Sequence, residues 1–244
     1  MQGDATCLPD WAKEGGSCPY GWASGSHPGA YTWPNEGVNL ITYVAAFYSL
    51  MPFFIVLFAT LAFLWTRGVR EILAFPFFSW VELAVFLLKK AFTMPRPQGS
   101  CLTSCGMPSG HALGSIAAFA WIALEVSNAK LLDTKQRRMT LCITGIFFIP
   151  VGWSRTVLND HSWPQVLAGS AFGLILGFLW YWLLNTRVTL WALKLLQAWL
   201  PFLTLNYPLD VTEEAAWTPQ APQGDGYGST SAKAEQSGLP ASNS

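Results

Sequence analysis

Apolar residues run almost without interruption through residues 38–65, 72–92, 110–129, 139–153 and 163–184, and polar or turn-forming residues collect between these runs. Each run approaches the roughly 17–25 residues a helix needs to cross a bilayer. The pattern therefore predicts a series of membrane helices, the fourth continuing a few residues past 153. Pro52 divides the first run, so an interfacial helix feeding a spanning helix and one kinked rod are both consistent with it. A sixth run, 187–203, is short and carries Lys194; it fits either an interfacial helix or a further span. Residues 1–37 are rich in Gly, Pro, Trp and Ser, with no basic start leading into an apolar core, which argues against a cleavable signal peptide. Residues 206–244 are rich in Pro, Gly, Ser, Ala and Gln and bury too little apolar surface to order themselves. The expected organisation is an N-terminal segment (1–37), a membrane domain (38–205) and a disordered tail (206–244).

Composition agrees. Of the 244 residues, 52% are hydrophobic and 11% charged, against about 25% charged in soluble domains. The 13 Trp suit rings anchored at membrane interfaces. Fourteen basic residues balance fourteen acidic ones, so no overall field draws in a polyanion and a nucleic-acid partner is excluded. The five Cys and three His form no metal-ligand spacing, and no metal is expected. A disulfide between Cys7 and Cys18, or between Cys101 and Cys105, is open if those segments face an oxidising lumen.

Basic residues set the orientation. Arg67 and Arg70 follow the first run, and Lys130, Lys135, Arg137 and Arg138 follow the third. The positive-inside rule makes that side cytosolic, with Arg187 and the tail. The opposite side receives residues 1–37 and the connections 89–111 and 154–162. Those two connections hold Lys89, Lys90, Arg96, His111, Arg155, Asp160 and His161. Charges at the membrane edge are costly and tend to mark function. Three fixed cations, Lys89, Arg96 and Arg155, suit a tetrahedral dianion. Ser109 is a good N-cap and Gly110 lets a ligand approach the backbone, so the third span would aim free N–H groups at that anion. Ser162, with Pro164 in the first turn of the fifth span, sets His161 beside a second positive helix end. Two imidazoles, His111 and His161, can then divide attack and proton donation.

Lys89-x6-Arg96-Pro97, Pro108-Ser109-Gly110-His111 and Ser154-Arg155-x5-His161 together resemble the three-part signature of the type 2 phosphatidic acid phosphatase superfamily of membrane lipid phosphatases. The resemblance implies an all-α polytopic bundle of five or six transmembrane helices, residues 38–205 forming the transmembrane phosphatase domain. One position departs from it. The superfamily usually has Asp four residues after the final His, where this chain has Gln165. The stretch His161-Ser162-Trp163-Pro164-Gln165-Val166 and the segment from Leu87 to Pro97 are similar to the dolichyldiphosphatase branch, in which Gln is usual there.

That resemblance implies catalytic roles for His161, His111 and Gln165, and phosphate binding by Lys89, Arg96, Ser109, Gly110 and Arg155. It also implies metal-independent chemistry without a cofactor. The substrate implied is a polyprenyl (dolichyl) diphosphate, hydrolysed to dolichyl phosphate through a phosphohistidine, in the endoplasmic reticulum membrane with a luminal site. A lipid phosphate monoester substrate is the alternative. A silent lipid-phosphate binder is disfavoured by the intact pair of His, and a transporter by the scarcity of polar residues in the spans. Glu82, on the face of Lys89, is a candidate support. Lys90, Arg67, Arg70 and Glu125 are expected to snorkel, and His27 is taken as incidental. Asp160 gets no direct role, because neighbours in sequence do not share a face. The N-terminal segment is expected to be a flexible decoration on the catalytic side.

Overall fold

The computed structural model describes residues 6–24, 30–130 and 132–202. His27 and the predicted tail, 206–244, lie outside the described residues, as does the side chain of Arg70. The elements in chain order are α1 (Asp10–Lys13), β1 (Gly21–Ser24), β2 (Tyr31–Pro34), α2 (Leu40–Ser49), α3 (Met51–Thr66), α4 (Val69–Ile72), α5 (Ala74–Phe92), α6 (Gly110–Asn128), α7 (Thr134–Phe148), α8 (Pro150–Val157), α9 (Trp163–Leu184) and α10 (Arg187–Trp199). The described residues form a helical membrane bundle with one small antiparallel hairpin, β1 and β2, in register Trp22 with Trp33.

Among the described residues, three helical stretches are long and apolar enough to cross a membrane: Gly110–Asn128, Thr134–Val157 and Trp163–Leu184. The bent pair α2 and α3 makes a fourth if it counts as one span. Asn39 opens α2 by exchanging hydrogen bonds with Thr42. Pro52, which has no N–H for the preceding ladder, sits in the first turn of α3, and the chain bends there by 46°. The long span made by α7 and α8 begins earlier than the apolar run does. Asp133 and Gln136 form a reciprocal cap, which draws Lys135, Arg137 and Arg138 into the first turns. Arg137 then donates to the Ser127 and Ala129 carbonyls at the end of α6.

Helix α6 runs at the centre and packs most closely on α9. The reason is a row of glycines one turn apart on α9. A Cβ on Gly169 would stand 2.5 Å from the Ser109 carbonyl oxygen, on Gly173 2.5 Å from that of Leu113, and on Gly177 2.4 Å from that of Ala117. Only hydrogen fits, so the backbones touch, as small residues permit in membrane bundles. Towards the α7 end of α6, Phe77 (α5), Trp121 (α6) and Trp180 (α9) pack with ring centroids 4.9–6.2 Å apart. Glu125 does not snorkel. It is buried there and accepts the Trp121 indole N–H at 3.0 Å.

The N-terminal segment differs from the expectation. Its described residues are bonded to the rest of the protein rather than loosely attached. The disulfides pair Cys7 with Cys105 and Cys18 with Cys101. Each therefore crosses between the N-terminal segment and the α5–α6 connection, instead of closing the local loops that near neighbours in sequence suggested. The cause is that β1 and β2 fold back onto that connection, bringing together cysteines 83 and 98 residues apart.

Candidate active site

At the other end of α6 the chain buries Arg155 and Asp160. Helix α5 stops within a turn of Lys89: Thr93 takes a left-handed conformation (φ 40°), and Pro95 and Pro97 hold the next residues extended. Arg96 lies between the two prolines. Its Nε donates to the Ser104 carbonyl (2.8 Å), its Nη2 to Ser104 Oγ (2.9 Å) and its Nη1 to the Asp160 carbonyl (2.9 Å). The same Nη1 lies 3.0 Å from His161 Nε2.

The six-residue step from Arg155 to His161 has a local cause. Arg155 is in the last turn of α8, and Asn159, which tolerates the left-handed region, turns the chain at φ 54°. The N–H groups of Asp160 and His161 both return to the Arg155 carbonyl, at 3.0 and 3.1 Å. Arg155, Asp160 and His161 are thereby locked into one buried knot.

Gln165 fixes the imidazole. Its Nε2 donates to the Pro95 carbonyl (2.8 Å), while its Oε1 accepts from the Ser162 N–H (3.2 Å). These two bonds orient the amide, so the oxygen is what faces His161 Nδ1 at 3.2 Å. An oxygen can only accept there. Nδ1 therefore carries the proton, and the lone pair is on Nε2, towards Arg96. Burial is the largest force keeping His161 neutral. The positive charges of Arg96, Arg155 and Lys89, and the neighbouring His111, add to it, and the ring's pKa falls well below its usual value. Burial likewise lowers Arg96, to about 10, with Asp160 opposing and Arg155 adding to the effect; it stays charged at neutral pH.

Hydrogen bonds join Arg96 and the Arg155 carbonyl to His161, and Lys89 and His111 act on the same ring electrostatically. Ser109 is buried beside them, bridging α6 and α9: its N–H donates to the Gln165 carbonyl (3.0 Å), and its Oγ caps α6 through the Ala112 N–H (3.5 Å). Gly110 follows at the first position of α6, where a Cβ would press on Val85 at 3.1 Å. Glu82 is set apart. It acts electrostatically on Lys89 but lies on the exposed face of α5.

Arg155 is fully buried. Its Nη2 pairs with Asp160 Oδ2 (2.8 Å) and donates to the Ala30 carbonyl (2.9 Å). Its Nε and Nη1 have no acceptor among the described residues. Donors buried without acceptors are costly, and here they belong to a cation beside a cluster of further cations. The arrangement suits an anion with several oxygens.

Asp160, left out on the argument about neighbours, is inside the site. The turn at Asn159 folds the chain back onto the end of α8, and this places the Asp160 carboxylate on the Arg155 guanidinium. Thr32, Ala30, Ser100 and Ser104 also contribute, and nothing in their spacing pointed to them. Asp160 did carry a signal: it is the one acidic residue of the two connections, and a buried cation needs a partner.

Known proteins resemble this chain over part of its length. The family model described as PAP2 superfamily matches residues 72–189. Phosphatidylglycerophosphatase B of Bacillus subtilis is 29% identical over 150 residues, covering 60% of this chain and 73% of the relative. Dolichyldiphosphatase 1 of Homo sapiens is 28% identical over 155 residues, covering 59% of this chain and 65% of the relative, just under two thirds of its length. Among solved structures, the crystal structure of the first transmembrane PAP2 type phosphatidylglycerolphosphate phosphatase from Bacillus subtilis is 27% identical, with a TM-score of 0.48 over 60% of this chain and 75% of that one.

Proposed function

We propose that this membrane protein, whose residues 72–189 match the PAP2 superfamily model, is a metal-independent lipid phosphatase whose substrate is a polyprenyl diphosphate, dolichyl diphosphate above all. One observation carries the chemistry. His161 is pinned through Nδ1 to Gln165, so that its lone pair on Nε2 faces the cluster of cations.

In this reading Lys89, Arg96 and Arg155, with Ser109 and the amides of Gly110 and His111, grip the terminal phosphoryl group. Their charge offsets what develops on its equatorial oxygens. Arg96 Nη1, now beside Nε2, turns to a phosphoryl oxygen when substrate enters. Nε2 attacks in line, the bridging P–O bond breaks, and dolichyl phosphate leaves with a proton from His111. The phosphohistidine keeps its proton on Nδ1 and donates it in a hydrogen bond to Gln165 Oε1, which supports the cationic ring by a dipole rather than a formal charge. His111 then takes a proton from water, which displaces the phosphoryl group from Nε2 as inorganic phosphate.

Gln165 and its neighbours favour the dolichyldiphosphatase reading, as does the human relative of that name. Two disulfides on the side of the site fit an oxidising compartment. The basic residues at the opposite end fit a cytosolic face. Together they support a luminal site in the endoplasmic reticulum, where the product would return to the lipid carrier pool for protein N-glycosylation. A monoester substrate is the second reading, favoured by the similarity to phosphatidylglycerophosphatase B.

Purified protein in detergent with a chelator should release phosphate from dolichyl diphosphate faster than from phosphatidate or phosphatidylglycerophosphate. Preference for a monoester would overturn the substrate, and strict dependence on added Mg²⁺ the metal-free mechanism. The leaving group of a diphosphate is itself a phosphate, far less basic than an alkoxide. His111→Ala should therefore retain more of the wild-type rate on the diphosphate than on a monoester, and equal losses would contradict its role as the acid.

A further inference from the structure

The hairpin of the N-terminal segment lies outside the matched family region, yet it enters the site. Asp160 is fully buried. Its carboxylate accepts from the Thr32 hydroxyl at 2.6 Å, from the Thr32 N–H at 3.1 and 3.2 Å, and from Ser100 Oγ at 3.4 Å, and it pairs with Arg155. The Thr32 hydroxyl has one proton to give. Its oxygen already accepts the Cys101 N–H at 2.9 Å, so the proton goes to Asp160. Ala30, two residues earlier, accepts from Arg155 Nη2. The hairpin thus touches both members of the ion pair, and the disulfides Cys7–Cys105 and Cys18–Cys101 hold the N-terminal segment there.

From this we infer that Thr32 and Asp160 are positioning residues: a clamp brought in by the N-terminal hairpin that sets Arg155 for its phosphoryl ligand. Thr32 and Ser100 occupy the carboxylate's other lone pairs, so Asp160 presents one fixed oxygen to Nη2. Nη2, held by that oxygen and by Ala30, fixes the plane of the guanidinium. Nε and Nη1 remain for the ligand. Asp160 also serves Arg96, through its backbone carbonyl. An arginine that must meet tetrahedral oxygens gains from a rigid second contact, because a misplaced donor loses most of its worth. The inference rests on the reading of Arg155 as a phosphoryl ligand.

The test uses the full chain with its disulfides intact, and compares Thr32→Val, Thr32→Ser, Asp160→Asn and the Thr32→Val/Asp160→Asn double variant. Orthovanadate inhibition reports the phosphate site whichever lipid is the substrate, and thermal melting reports folding. Thr32→Val should weaken vanadate inhibition about tenfold and Asp160→Asn about a hundredfold, as for hydrogen bonds to charged groups. Thr32→Ser should restore inhibition to within about twofold of wild type, and the double variant should be no worse than Asp160→Asn alone, since both act on Arg155. If Thr32→Val melts early, the Asp160→Asn and Thr32→Ser results decide. Inhibition unchanged in Asp160→Asn, a loss in Thr32→Ser equal to that in Thr32→Val, or additive losses would overturn the clamp alone. A wild-type protein insensitive to vanadate would overturn the phosphate site and the clamp with it.

Discussion

Helices α5, α6 and α9 meet at both ends of the bundle, and the two ends are closed by different means. At one end Phe77, Trp121 and Trp180 pack ring against ring beside a small apolar cavity, and Glu125, which lines that cavity with Glu71, accepts from an indole one turn away. These groups come from the helices themselves. At the other end Arg155, Asp160, His161 and Gln165 are all buried, and the helices cannot satisfy them alone. Partners come from Ala30 and Thr32 of the hairpin, and from Pro95 and Ser100 of the α5–α6 connection. Apolar burial is non-directional and asks only for volume. Buried charge asks for particular donors and acceptors, which explains why the disulfides and the hairpin collect at the charged end.

The contrast is broken most sharply by one substitution at each end. His161→Ala should remove turnover, by about 10⁴-fold or more as for other nucleophiles, while the melting temperature stays close to wild type. Trp121→Ala should do the reverse, costing about 3–5 kcal/mol of stability with kcat per folded molecule nearly unchanged. Turnover surviving in the first, or a folded but inactive second, would show that the ends are not separable.

The seam between the ends gives a smaller effect. Gly177→Ala puts a methyl group against the Ala117 carbonyl, where a Cβ has only 2.4 Å. It should cost about 1–3 kcal/mol through separation of α6 and α9, read as a lower melting temperature. Gly145→Ala, whose Cβ meets only side-chain atoms at 3.6 Å or more, is the control and should leave melting unchanged.

The smallest effect is on pH dependence. His161 attacks only when Nε2 is unprotonated. Burial and the surrounding cations lower its pKa, so the nucleophile survives as the pH falls, and the acid limb of kcat/KM should lie below the usual imidazole value of about 6.5. Arg96→Gln removes one of those cations and should move the limb upward. A wild-type limb above that value, or one that Arg96→Gln leaves in place, would contradict this electrostatic account.

The helices were legible because bilayer-length apolar runs and residues such as Ser109 and Pro52 act locally. The signature residues were legible because their spacing is itself local, as in the turn that returns Asp160 and His161 to the Arg155 carbonyl. The glycines at 169, 173 and 177 were in plain view at a four-residue interval, but their meaning depends on which helix lies opposite. Thr32, Ala30 and the crossed disulfides were out of reach for a related reason. Their partners are 69 to 128 residues away, and hairpin docking, which no short-range pattern encodes, brings them together.

The central claim is that His161 Nε2 is the atom that takes the phosphoryl group. Rapid quenching in alkali of the His111→Ala protein, turning over dolichyl diphosphate labelled in its terminal phosphate, measures this directly by peptide mass spectrometry. The account predicts label on His161, alkali-stable and acid-labile, appearing before inorganic phosphate and absent from His161→Ala. Full turnover with no label on His161, or label on another residue, would contradict it.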